Sequence, residues 1–222
     1  DGRLKFVKAR RGEAKELKLT QQSQGMLTDW IVRRFAAAGK SIELDAAQRL
    51  IFISGDLMSR LIPEIDKIAA YAKGERVTVK DVDAVASHIP EAVIFEMTEL
   101  ISQKKYNSAM SVLAELLSDK NNEPIAMTAM LGLQMRKLYA ARLAIEQGLG
   151  SKYVMEVCAI KYDYIASKLM TAARGFTLPQ LIRAVELCGE ADYRMKSSGQ
   201  DARELLKEAV ARIAAGESKC IA

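Results

Sequence analysis

A chain of 222 residues is long enough to bury one large hydrophobic core or two small ones. Half of its residues are hydrophobic, 27% are charged and only 6% are aromatic, a balance that excludes a disordered or collagen-like chain and favours helices. The formal net charge is +5, but in residues 1–20 Arg3, Lys5, Lys8, Arg10, Arg11, Lys15 and Lys18 face only Asp1, Glu13 and Glu16, so that stretch carries +4. Net charge therefore gives no argument for nucleic-acid binding by the rest, while the basic stretch can touch phosphates or form a solvated face.

Residues 1–20 are heterogeneous, with Glu16-Leu17-Lys18-Leu19 alternating like a short strand. The chain opens on Asp1 rather than Met, shows no signal-peptide pattern, and reads as the tail of an upstream domain. From Ser23 the period changes: Leu27, Trp30, Ile31 and Phe35 share one face of a helix that Gly39 can end. A second helix is expected over Leu44 to Ser54, closed by Gly55. A third carries Leu57, Leu61, Ile65, Ile68 and Ala72 on one stripe, with Asp56 as cap and a kink or late start at Pro63. Val77-Thr78-Val79-Lys80-Asp81-Val82 reads as a short extended link into a capped helix that ends before Pro90, the expected domain boundary. Beyond it, helices are expected at roughly 91–103, 106–118, 123–147, 151–159, 162–174, 178–197 and 200–215. The longest has a broad apolar face of Ile125, Met127, Met130, Leu131, Gln134, Met135, Leu138 and Leu143, and Thr177 is a cap for the helix at 178. No internal repeat appears, and residues 216–222 read as a polar tail.

A search for chemistry yields little. His88 is the only histidine, which works against His-based zinc sites and Ser-His-Asp or Cys-His arrangements. Cys158, Cys188 and Cys220 are too widely spaced for a metal cluster and odd in number, so they read as free thiols in a reducing cytosol. Gly39-Lys40-Ser41 echoes the end of a phosphate-binding loop, but Arg34 stands where the first glycine is needed, and the segment closes a helix instead of opening one. Gly148-Leu149-Gly150 likewise reads as a helix-to-helix turn. Glu64 with Lys67 and Asp192 with Lys196 have ion-pair spacing on helices. The methionines within 127–135 read as core filler. No catalytic, cofactor-binding or metal-ligating residue is assigned.

An ordered set of motifs nevertheless carries a resemblance. Gly55-Asp56-Leu57, Leu61 and Glu64-Ile65-Asp66-Lys67-Ile68-Ala69-Ala70-Tyr71 are followed by Val77-Thr78-Val79-Lys80-Asp81-Val82 and Ile94-Phe95-Glu96. Then come Glu123-Pro124, Gln134-Met135-Arg136-Lys137-Leu138 and Ala191-Asp192-Tyr193-Arg194-Met195-Lys196. In this order, over about residues 24–213, they resemble the delta subunits of the bacterial DNA polymerase III clamp loader. The resemblance implies an all-α chain: 1–21 as the remnant of an upstream AAA+ (RecA-like) domain, 22–90 as an AAA+ helical lid, and 91–222 as a helical collar that joins a five-membered ring. It implies a non-catalytic subunit of a nucleotidyltransferase assembly, in the bacterial cytoplasm, that takes part in loading the sliding clamp on primed DNA. The partners it implies are the loader ATPase subunits and delta-prime through the collar, the clamp through the upstream domain, primed DNA within the assembly, and no membrane. AAA+ lids that sense nucleotide place an arginine three residues after a glycine; here that position is Met58, and Arg60 stands two positions late without an assigned role.

Two other readings compete. Ser54-Gly55-Asp56 has the length of a helix-turn-helix connection, but the following helix pairs Glu64 and Asp66 with only Arg60 and Lys67, a poor balance for a recognition helix. A helical scaffold unrelated to replication is the other.

Overall fold

The computed structural model describes residues 22–217. The expectations for residues 1–20, for Cys220 and for most of the polar tail lie outside the described residues. Within them the chain is all-helical: eleven helices and one pair of two-residue strands.

Helix α1 (Gln24–Ala37) starts where the Ser23 hydroxyl accepts from the Met26 N–H, and ends ahead of Gly39, whose φ of +73° suits a residue without a Cβ. Strand β1 (Ser41–Ile42) leads into α2 (Leu44–Ser54), which Gly55 closes at φ +87°. Helix α3 (Met58–Tyr71) then brings the chain back to β2 (Arg76–Val77), which pairs in parallel with β1, Ser41 opposite Arg76 and Ile42 opposite Val77. Helix α4 (Val79–Val85) begins at Thr78, where the Asp81 carboxylate accepts from both the backbone N–H and the hydroxyl of Thr78. Leu27, Ile31, Phe35, Leu50, Ile53, Leu61, Ile65, Ile68, Val77 and Val82 fill the space between these elements.

The remaining helices are α5 (Pro90–Ser102), α6 (Tyr106–Ser118), α7 (Pro124–Glu146), α8 (Ser151–Val157), α9 (Asp163–Ala173), α10 (Leu178–Ser197) and α11 (Ala202–Ala214). Pro90 and Pro124 each occupy the first helical turn, where the missing N–H costs no helical bond. Helix α7 runs through the middle, with α10 along one side, α9 and α5 on others, and α11 closing over α10. Its central side chains Leu131, Met135 and Leu138 are fully enclosed, so the methionines here are core. Gly132 sits at the α7–α10 crossing, where a Cβ would lie 3.4 Å from that of Cys188. A tighter approach occurs at Gly175, between α9 and α10, where any side chain would run into the carbonyl of Ser102.

Three expectations need correction. Asp56 does not cap α3; Leu57 stands at the cap, and the Asp56 carboxylate reaches instead toward the Lys161 ammonium at 3.7 Å. Pro63 does not delay α3, which begins at Met58 and runs on past the proline to Tyr71. The carbonyl Pro63 leaves without a donor belongs to Ser59, and both residues lie on the exposed face, open to solvent. Ile125, expected on the inward face of α7, is 40% exposed, because burial along that helix begins only at Met127.

Candidate functional site

The residues that echo a phosphate-binding loop have a structural occupation. The Lys40 ammonium donates to the carbonyls of Ala72 and Gly74, each at 2.7 Å, and so satisfies the C-terminal end of α3. A lysine tied there by two carbonyls is not aimed at a ligand. Met58, in the position of the sensing arginine, is half-buried in the first turn of α3 and packs against the core, while Arg60 is exposed on the same helix.

Helix α3, the second helix of the helix-turn-helix reading, buries one of its two acidic residues, Glu64, and leaves Asp66 exposed. The Glu64 carboxylate meets the Lys67 ammonium at 2.8 Å and accepts from the Ser87 N–H at 2.9 Å. The Lys67 ammonium also donates to the Ser87 hydroxyl. Burial pushes the Glu64 carboxyl up, but the bonds from Lys67 and Ser87 outweigh it and hold the group below the usual glutamate range. Asp192 and Lys196 form the other expected ion pair at 2.7 Å.

His88 is half-buried, its Nε2 3.7 Å from the Glu96 carboxylate. Burial pushes the Cys188 thiol up to about 12, and raises Cys158 as well, so neither is poised as a thiolate nucleophile. Among the described residues no group of three or more His, Cys, Asp or Glu side chains is placed to hold a metal ion.

A polar arrangement that joins the first helices to the later ones lies where α2 meets α5 and α9. The Arg49 guanidinium donates from Nε to Asp83 at 2.7 Å and from Nη2 to Glu96 at 2.8 Å, bridging α4 and α5 from α2. Its Nη1 is buried and finds no hydrogen-bond acceptor among the described residues, but the guanidinium carbon lies 5.4 Å from the centroid of the Phe52 ring. Burial lowers the Arg49 pKa, and the bonds to Asp83 and Glu96 more than offset it, so the charge is secure. Phe52 in turn meets Phe95 edge-on at 5.1 Å and Tyr164 at 6.3 Å, with the Lys168 ammonium 5.7 Å from its centroid. Beside this cluster a cleft of about 250 Å³ opens between α2, α5, α7 and α9, with Ile51, Phe95 and Leu169 in its walls and Asp56, Glu91 and Lys137 on its rim. Sequence reading missed Arg49 and Phe52. A lone arginine inside Ala46-Ala47-Gln48-Arg49-Leu50-Ile51-Phe52-Ile53, an otherwise apolar helix, was the available signal of a buried cation.

Elsewhere the described surface offers exposed apolar side chains: Leu44, Leu57 and Tyr71 before Pro90, and Leu133, Val157 and Tyr193 on the later helices. Exposed apolar groups of this kind suit contact with another protein.

Comparison with known proteins gives a consistent family. A model of the DNA polymerase III delta subunit, C-terminal domain, matches residues 91–213. The chain is 26% identical to DNA polymerase III subunit delta of Bacillus subtilis (strain 168) over 208 residues, 93% of this chain and 59% of that protein. It is 26% identical to the probable DNA polymerase III subunit delta of Aquifex aeolicus (strain VF5) over 188 residues, 84% of this chain and 53% of that protein. Among solved structures, the Bacillus subtilis DNA clamp loader delta protein (YqeN) matches with a TM-score of 0.69 and 26% identity, over 97% of this chain and 63% of that one. The chain thus spans less than two thirds of the relatives it matches.

Proposed function

The chain belongs to the DNA polymerase III delta subunit family, and from that membership we propose that it acts as a non-catalytic part of a clamp loader, assembling the subunit into the loader ring. The observation that carries this reading is the likeness to a clamp loader delta protein along 97% of the chain, including the part before the family model begins. Residues 22–90 serve as the AAA+ lid and residues 91–222 as the collar. The collar's partners are the loader ATPase subunits and delta-prime. The sliding clamp is engaged by residues upstream of these, and primed DNA is met only within the assembly, in the bacterial cytoplasm.

Physical chemistry supports an assembling role over a catalytic one. The polar groups that come together here, around Lys40, Glu64 and Arg49, are bonded to other parts of the same chain. What the surface offers is apolar side chains, and a stable protein contact hides at least ~1,000 Å² in total. The DNA-binding reading is not favoured, since the family model and the relatives are delta subunits of DNA polymerase III. Among the described residues no helix is long and apolar enough to cross a membrane.

A competition experiment tests the proposal. The chain is added in excess to a cognate loader assembled with full-length delta subunit, and clamp loading on primed DNA is followed. If the chain takes delta's place in the ring, loading falls as chain is added and full-length delta appears free. Unchanged loading at large excess contradicts the assignment.

A further inference from the structure

We propose that the two helical units of this chain are locked into one mechanical body by Arg49 and Phe52, so that residues 22–217 unfold and turn together. Only Ala86–Ile89 separate α4 from α5, and that connection has no slack. The Ile89 N–H donates to the Ile53 carbonyl at 2.7 Å, the Ser54 hydroxyl donates to the Ser87 carbonyl at 2.9 Å, and the Ser87 N–H is held by Glu64. A hinge needs residues whose backbone can rotate without losing such bonds; here the segment is pinned to α2 and α3 of the first unit right up to the start of α5.

The side chains make the junction stiffer still. Arg49 on α2 grips Asp83 within its own unit and Glu96 across the junction through the same planar guanidinium, so relative rotation breaks one bond or the other. Phe52 is 7% exposed, and its ring touches Phe95 on α5 and Tyr164 on α9 edge-on, contacts that depend on angle as well as distance. The Asp56 carboxylate and the Lys161 ammonium, 3.7 Å apart, add a second bridge between the units. The buried side chains of both units form one continuous core, with none of the polar gap that marks a mobile linker. A displacement imposed on the later helices is therefore handed to the first four without loss.

The chain carries its own reporter. Trp30 is the only tryptophan; it lies on α1, packed against the core of the first unit, so its fluorescence follows that unit. Far-ultraviolet circular dichroism is dominated by the later unit, which holds most of the helical residues. Urea unfolding of the whole chain, followed by both signals, gives coincident midpoints if the lock exists. Phe52→Ala and Arg49→Met should each separate them, with the Trp30 transition moving to lower urea. Glu96→Gln, a milder change, should shift it in the same direction and keeps the test usable if Phe52→Ala does not fold. Separate midpoints in the unmodified chain overturn the proposal, as do midpoints that stay coincident in every variant. No partner subunit enters this experiment, so its failure leaves the assembly role standing, and a failure of assembly leaves the lock standing.

Discussion

At the scale of single residues, the close contacts set clear costs. Gly175 has the Ser102 backbone against the position its Cβ would take, and a backbone cannot swing away as a side-chain end can. Gly175→Ala should destabilise the chain by about 1–3 kcal/mol, the range for overpacking. Gly189, inside α10 with open space around it, is the matched control. Gly189→Ala should stabilise by about 0.5–1 kcal/mol, because a helical glycine gives up more backbone freedom than alanine. Urea midpoints measured on both variants check the pair, and a loss at both positions would contradict this reading of the close approach between Gly175 and the end of α5.

Glu64 sets a pH dependence of defined sign. Its pKa in the folded chain lies below its ordinary value of 4.5, so the folded state holds the carboxylate more strongly than the unfolded chain does. The stabilisation is present in full above that ordinary value and is lost as pH falls through the folded pKa. Asp81, lowered by the backbone N–H and hydroxyl of Thr78, acts in the same direction. Urea midpoints followed from neutral pH down through the carboxylate range should fall less steeply for Glu64→Gln than for the unmodified chain. Equal slopes would show that Lys67 and Ser87 do not hold the charge.

At the scale of elements, caps explain both what the sequence made legible and what it hid. Thr177 accepts from the Gln180 N–H while the Gln180 side chain accepts from the Thr177 N–H, a reciprocal box that fixes the start of α10. Thr177→Ala should cost about 1 kcal/mol in a urea titration, and no loss would mean that packing alone sets that terminus. Such signals, together with Pro90, Pro124, Gly39 and Gly55, are local, and the helices they bound appear in the structure close to where the sequence placed them. The strand β1 was not legible, because a two-residue pairing has no period of its own and exists only where Val77 returns beside Ile42. Asp56 was misread for the same reason, its partner Lys161 being more than a hundred positions away. The junction residues Arg49 and Phe52 share that handicap, since their roles depend on Glu96, Phe95 and Tyr164, which no local spacing reveals. The α10–α11 contact adds a further example. Arg212 and Arg183 hold the Glu217 carboxyl down at about 2, in a cluster that also gathers Glu186 and Glu190, and nothing within residues 212–217 points to Arg183.

At the scale of the whole molecule, the central claim is assembly through the helices beyond Pro90 without any nucleotide. Helix packing of the kind seen along α7 is local burial of apolar surface, and the proposed assembly uses the same chemistry on an outer face. Because the chain beyond residue 20 is nearly balanced in charge, such a contact depends little on long-range attraction and survives moderate salt. The direct measurement is gel filtration of the chain with its cognate loader ATPase and delta-prime subunits, without ATP, at low and at moderate salt. The account predicts that all three co-elute in one peak at both salt concentrations. Separate elution of the chain, from partners that assemble normally with a full-length delta subunit, would contradict it.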